Sequence, residues 1–278
     1  MLLTLEKEKK ILDLCKKFRI ELIKCLHAVG SGHPGGSLSA TEIITILYFH
    51  ELNIDPRNPS DPERDRFVLG KGHAAPMLYL NLAEKGFLAK NELSNLRQLN
   101  HMLQGHPCAK STPGIDLSTG PLGLGISAAA GMALAGKLDK KEYYVYVLMG
   151  DGETQEGIVW EAAMAASKYK LDNLIVILDN NKVQLDGTID EIMPLGDIKG
   201  KWESFGWKVI ETDGHHVRSI SKALEEAKKV KEKPIIIIAE TVKGKGISFM
   251  EGKNIWHGKP IDDEYFDIAM KELTGGNK

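Results

Sequence analysis

The stretch Tyr143–Asn181 reads YYVYVLMGDGETQEGIVWEAAMAASKYKLDNLIVILDNN. It holds an apolar run at 143–149, a Gly-Asp-Gly turn, a helical pattern over 156–169 and a second apolar run at 174–178. Short apolar runs separated by a helix-length segment predict a βαβ unit, with two parallel strands side by side. Such a crossover brings the C-terminal ends of both strands to the same edge of the sheet. Asp151 then falls just past one strand end and Asn181 just past the other, facing one cavity.

The alternation continues on both sides. Arg66-Phe67-Val68-Leu69 reads as a short buried strand, and further strands are expected at 207–211 and 235–239, with helices at 197–205 and 216–230. Ile11, Cys15, Phe18, Leu22 and Leu26 recur at helical spacing, predicting an amphipathic helix from Leu5 to Val29 that stops at Gly30. The glycines and proline of Ser31–Gly36 predict an irregular link to a second helix over Thr41–Leu52, capped by Ser37 or Ser39. Helices over Ala74–Glu84 and Gly123–Gly136 follow. Residues 55–62 read as a turn-rich connector, and 100–120 as a loop long enough to carry function. The fold class is α/β, a parallel β-sheet sandwiched by helices. Nothing divides the chain, so residues 1–278 are expected to form one domain, with 275–278 a frayed tail.

Composition fits a globular protein: 278 residues, 42% hydrophobic and 27% charged, with 28 glycines against 11 prolines. Lys and Arg total 36 and Asp and Glu 38, a formal charge of −2 that gives no electrostatic reason for nucleic acid or an anionic membrane as main partner. Cys15, Cys25 and Cys108 form no CxxC pair, and their odd number argues against a secreted disulfide framework. No apolar run approaches the ~20 residues of a membrane span. The N-terminus puts its few apolar residues before its charges and shows no signal-peptide core, so a cytoplasmic protein is expected.

A carboxylate, an amide oxygen and a nearby backbone carbonyl are hard ligands suited to Mg²⁺, which fills its octahedron with phosphate and water. Asp151 and Asn181 thus imply a metal-bound diphosphate. The glycines around Asp151 let backbone approach it, and a helix starting near Glu156 would aim N–H groups at it. The competing reading is a Gly-Asp-Gly turn beside an unrelated Asn-rich loop. Either piece alone reads as a turn; paired on two strand ends, they favour the diphosphate site.

With these residues in place, the sequence resembles the transketolase family of thiamine diphosphate enzymes, whose cofactor signature is Gly-Asp-Gly followed at such a spacing by Asn-Asn. Further segments match in family order: Ser31–Gly35, Gly70–Ala75, Gly105-His106-Pro107, Thr119–Gly123, Gly150–Gly157, Lys243–Gly246 and Trp256–Pro260. The resemblance spans nearly the whole chain but only the N-terminal, diphosphate-binding half of a full-length transketolase. It implies a thiamine-diphosphate-binding fold and a subunit of a split enzyme. The partner would be a C-terminal transketolase subunit carrying the pyrimidine-binding domain, in a heterotetramer of two copies each.

By that resemblance, Asp151 and Asn181 would bind Mg²⁺ through side-chain oxygens and Val183 through its carbonyl, with Ca²⁺ or Mn²⁺ as substitutes. His73, Gly152, Asn181, Lys243 and His257 would hold the diphosphate or its surroundings, and Gly120, Pro121 and Leu122 would lie against the cofactor. Glu156 would sit at a subunit interface, although a Glu so placed also simply favours a helix N-terminus. His33, His106 and His257 would converge on the sugar oxygens, where an ordinary pKa near ~6.5 suits proton shuttling. The implied reaction moves a two-carbon ketol group between sugar phosphates, from xylulose 5-phosphate to ribose 5-phosphate in the pentose phosphate pathway. A different ketose and a non-catalytic cofactor-binding module are the alternatives.

Other signals read as structural. His27, His50, His101, His215 and His216 lack motif support. Gly123, Gly125 and Ala128 fit a loose dinucleotide pattern, but a loop rather than a strand precedes them, so close helix packing explains them better. The basic run Lys228–Lys233 reads as a solvated helix end. No HExxH occurs and the cysteines lack ligand spacing, which argues against zinc.

Overall fold

The computed structural model describes residues 3–275. In chain order the helices are α1 (Leu5–Val29), α2 (Pro34–Ser39), α3 (Thr41–Ile46), α4 (Ala75–Lys85), α5 (Leu124–Leu138), α6 (Gly157–Lys168), α7 (Ile189–Ile192), α8 (Ile198–Ser204), α9 (Val217–Ala227) and α10 (Asp263–Thr274). The strands are β1 (Arg66–Leu69), β2 (Val145–Gly150), β3 (Leu174–Asn180), β4 (Lys208–Asp213) and β5 (Ile235–Glu240). They form one sheet in the order β1-β2-β3-β5-β4, every pair parallel.

Both faces of the sheet are covered, which is why β3 and β5 are nearly continuous apolar runs rather than alternating ones. Tyr146, Leu148, Ile175 and Ile237 pack with α1, α3, α4 and α9 on one face. Val145, Val147, Val176 and Ile236 pack with α5, α6 and Trp202 of α8 on the other. Gly150 pairs with Asp179, so the ends of β2 and β3 lie level. The predicted crossover is therefore present, and the turns after these strands open at one edge.

α1 spans the predicted residues. Thr4 caps it by accepting the Lys7 N–H at 3.2 Å, and Gly30, at φ 65°, stops it. The next segment departs from expectation. Pro34-Gly35-Gly36 is not irregular but opens α2, because a proline at the first helical position gives up an N–H that has no partner there anyway. The expected single helix over 41–52 is instead α3 followed by a widened π-turn at Leu47–Glu51. Neither Ser37 nor Ser39 caps it; Ser39 lies within α2 and donates to Asp179 at 2.6 Å. The two glycines serve close approach. A Cβ at Gly35 would stand 2.9 Å from the Trp256 carbonyl oxygen, and one at Gly36 3.0 Å from His73 Nε2.

The loose dinucleotide pattern is packing, as expected, since a Cβ on Gly125 would stand 3.0 Å from Gly70 Cα. α7 and α10 are not among the predicted helices, although Thr188 with Glu191 marks the start of one and Asp262 and Gly275 the ends of the other; α10 is tied to α1 by His27, 2.8 Å from Asp263. Lys229 and Lys231–Lys233 are exposed as predicted, while Lys228 pairs with Glu51. Of the tail expected to fray, Gly275 ends α10 in a left-handed turn and 276–278 lie outside the described residues.

Candidate active site

The loops after β1, β2, β3 and β5 surround a cavity of about 450 Å³ at the carboxyl edge of the sheet, where open α/β sheets bind ligands. The Asp151 carboxylate ties two of these loops together, accepting the Gly152 N–H at 2.7 Å and the Lys182 N–H from the loop after β3. Asn181 Oδ1 accepts the Val183 N–H at 3.1 Å. The Val183 carbonyl accepts from Lys243 Nζ at 2.9 Å, and that ammonium also lies 2.9 Å from His257 Nδ1. Beyond β2, Gly152–Gln155 forms a 3-10 turn and α6 starts only at Gly157. The helix thus starts within one residue of the expected position, with Glu156 exposed at its cap and its side chain making no capping bond.

His33, His73, His106 and His257 gather in the same cavity. Ring centroids are 5.2 Å apart for His33 and His73, 5.4 Å for His33 and His257, 6.4 Å for His33 and His106, and 4.8 Å for His73 and His257. Burial, then the charges of Arg97 and nearby groups, push His33 down to about 4. Burial, then Lys243, push His257 down to about 3. His73 is held well below its ordinary value by burial and Lys71, and His106 is lowered by burial and Arg97. All four lie below the value near ~6.5 expected from the sequence, so in this structure the rings favour the neutral form, in which one ring nitrogen donates and the other accepts.

Every residue singled out from the sequence lines the cavity except Pro121, which is exposed on the turn between Gly120 and Leu122. The five histidines without motif support lie outside it. Several lining residues were missed. Lys71 is 2% exposed and pairs with the fully buried Asp179, which also accepts the Ser39 and Thr241 hydroxyls. Glu153 accepts the Gly123 and Gly150 N–H groups at 3.0 and 3.1 Å, holding the turn before α5 to the end of β2; burial pushes its carboxyl up to about 7. Both stand inside quoted motifs, Gly70–Ala75 and Gly150–Gly157, but their charges gave no hint that they would be buried.

The donor set fits a hard divalent cation. Backbone N–H groups orient the Asp151 and Asn181 oxygens, each oxygen keeps a free lone pair, and a backbone carbonyl lies beside them in a cavity lined by an ammonium suited to phosphate. Among the described residues no group of three or more His, Cys, Asp or Glu is arranged to hold a metal ion.

Such a sheet edge, with oxygen donors on adjacent loops and buried lysines beside them, defines an α/β protein built to hold a phosphorylated cofactor. Residues 11–277 match the family described as transketolase, thiamine diphosphate binding domain, and the chain belongs to that family. An apulose-4-phosphate transketolase subunit from Phocaeicola vulgatus is 42% identical over 260 residues, covering 93% of this chain and 92% of that protein. A 6-deoxy-6-sulfo-D-fructose transketolase subunit from Clostridium sp. is 47% identical over 261 residues, covering 94% of each. The Homo sapiens transketolase is 45% identical over 269 residues, which are 96% of this chain but 42% of that protein. The transketolase structure from Leishmania mexicana superposes with a TM-score of 0.89 at 30% identity, covering 95% of this chain and 41% of that one. The chain thus spans less than half of those full-length transketolases and nearly all of the two subunit relatives. Among the described residues no helix is long and apolar enough to cross a membrane.

Proposed function

We propose that this chain is the diphosphate-binding subunit of a split, thiamine-diphosphate-dependent transketolase, transferring a two-carbon ketol group from a ketose to an aldose. The observation that carries the reading is the convergence of Asp151, Asn181, the Val183 carbonyl, Lys243 and four neutral histidines on one cavity. Bound thiamine diphosphate supplies the nucleophilic carbon and the electron sink that cleavage beside a carbonyl requires. Asp151, Asn181 and the Val183 carbonyl hold Mg²⁺, or Ca²⁺ or Mn²⁺ in its place. Lys243, His73 and the Gly152 backbone hold the diphosphate, with Gly120 and Leu122 against the cofactor. His33, His106 and His257 orient the sugar oxygens by hydrogen bonds.

A second chain carrying the pyrimidine-binding domain completes the site, in an assembly of two copies of each. Two observations support this: the subunit relatives match over nearly their full length, and Leu122, Leu124, Leu185 and Ile255 stand exposed, the first and third of them on the cavity wall. Residues 1–278 act as one domain of that assembly. Free Cys15, Cys25 and Cys108 suit a cytoplasmic location.

For the donor, we propose a ketose phosphate such as xylulose 5-phosphate with ribose 5-phosphate as acceptor. A different ketose is the second reading, favoured by the substrates for which the two subunit relatives are named. The test is to mix the chain with its partner, thiamine diphosphate and Mg²⁺, and offer xylulose 5-phosphate and ribose 5-phosphate. Sedoheptulose 7-phosphate is the expected product. Its absence, with transfer from apulose 4-phosphate or a sulfonated ketose instead, moves the assignment to the second reading; no transfer from any of them contradicts ketol transfer.

A further inference from the structure

Arg97 stands behind His33, outside the cavity lining, and no motif marks it. Its guanidinium places Nη1 2.8 Å from Ser31 Oγ and Nη2 3.3 Å from His33 Nδ1, so its hydrogen-bond partners are a hydroxyl and an imidazole, not a carboxylate. Its Nε is buried and has no hydrogen-bond partner. The residue also sits at φ 61°, a left-handed conformation that few non-glycine residues adopt. Its N–H donates to the Leu103 carbonyl at 2.8 Å, and its guanidinium carbon would stand 3.2 Å from a Cβ on Gly105, so the turn around it is tight. Backbone strain and an unsatisfied donor are both tolerated to keep this side chain against His33.

An arginine has only donors to offer. Nδ1 of His33 must therefore present its lone pair, and the opposite ring flip would set a C–H against the guanidinium. A neutral imidazole carries a single proton, so an accepting Nδ1 leaves that proton on Nε2, the ring nitrogen farther from the backbone. The ring itself is one of the four that line the cavity.

We propose that Arg97 is a positioning residue for the ketol transfer proposed above, on which this inference rests: its donation to Nδ1 fixes the His33 proton on Nε2. His33 then offers a hydrogen-bond donor of fixed direction to an oxygen of the sugar. Without Arg97 the imidazole samples both tautomers, and the donor is present only part of the time.

The test is ¹⁵N NMR of the full chain with ¹⁵N-labelled histidine, His33 being assigned by the signals lost in His33→Gln. The expected result is a bare Nδ1 and a protonated Nε2 in the unmodified chain, with Arg97→Met moving both signals toward the average of two tautomers. In the complex with partner, cofactor and Mg²⁺, Arg97→Met should lower kcat/KM for the ketose by roughly tenfold, since losing an oxyanion donor outright costs roughly 10²–10³. Thiamine diphosphate affinity should stay the same, and Arg97→Lys, which keeps a cationic donor, should recover most of the loss. A protonated Nδ1 in the unmodified chain, or nitrogen signals unmoved by Arg97→Met, would overturn the proposal. A complex that transfers no ketol group would overturn the functional reading alone, and the nitrogen signals would still decide whether Arg97 sets the tautomer.

Discussion

The Lys243 ammonium lies 2.9 Å from the Val183 carbonyl oxygen, one of the three oxygens proposed to hold the divalent ion. On that proposal the ammonium would compete with a bare metal ion at this oxygen through like charge rather than for its lone pair, and a diphosphate arriving with the metal would give the lysine an anionic partner. Lys243→Met should raise the affinity of the chain for Mn²⁺ alone. It should weaken thiamine diphosphate with Mg²⁺ by about 10- to 100-fold, as expected for losing a hydrogen bond to a charged group worth about 1.5–3 kcal/mol. Calorimetric titrations check both, and the two affinities moving together would count against the competition.

The His33 imidazole gives folding stability a pH dependence of known sign. Burial, then Arg97, His106 and Lys243, lower it from 6.5 to about 4, so between those values the unfolded chain binds the proton that the folded chain refuses. Stability rises with pH wherever the unfolded state holds more protons. This contribution is complete above pH 6.5 and is lost as pH falls toward 4. Urea midpoints measured across that window should fall with acidification, and His33→Gln should make the fall shallower.

Three groups tether the loop that carries Lys243. Buried Glu42 pairs with Arg19 at 2.6 Å and with His215 Nδ1 at 2.9 Å. Arg19 Nε donates to the Lys245 carbonyl at 3.0 Å, and His215 Nε2 accepts the Val242 N–H at 2.8 Å. Removing one partner of a buried pair leaves an uncompensated charge, so Glu42→Ala should cost about 3–5 kcal/mol. Chemical denaturation measures it, and a loss under about 1 kcal/mol would contradict the tether.

Gly244 in that loop sits at φ 79°, with a would-be Cβ 2.5 Å from the Met250 carbonyl oxygen. Backbone cannot swing aside as a side-chain tip can. Gly244→Ala should therefore cost at least about 1–3 kcal/mol and weaken cofactor binding by shifting Lys243, both readable by thermal melting with and without thiamine diphosphate and Mg²⁺.

What the sequence discloses depends on the physics each feature uses. The buried strands of the sheet show as apolar runs, and α1 as a spaced stripe between Thr4 and Gly30, because burial and capping act on residue type. Asp151, Asn181 and the four cavity histidines were legible because they stand in motifs at strand ends and loops. α2 was not, since Pro34, Gly35 and Gly36 usually break helices, and only their closeness to Trp256 and His73 explains them. Arg97 and His215 escaped for a different reason: each acts through a partner distant in sequence, His33 or Glu42, and no local pattern records such a pair. The depressed imidazole of His33 likewise arises from burial beside cations distant in sequence, Arg97 and Lys243.

On the proposed reading, this chain holds half of a thiamine diphosphate site. Calorimetric titration of thiamine diphosphate with Mg²⁺ into the chain, alone and mixed with its C-terminal partner, tests it most directly. Tight, metal-dependent binding in the mixture, lost in Asp151→Asn and far weaker for the isolated chain, is the predicted result. Binding to the isolated chain as tight as to the mixture, or no saturable binding to either, would contradict it.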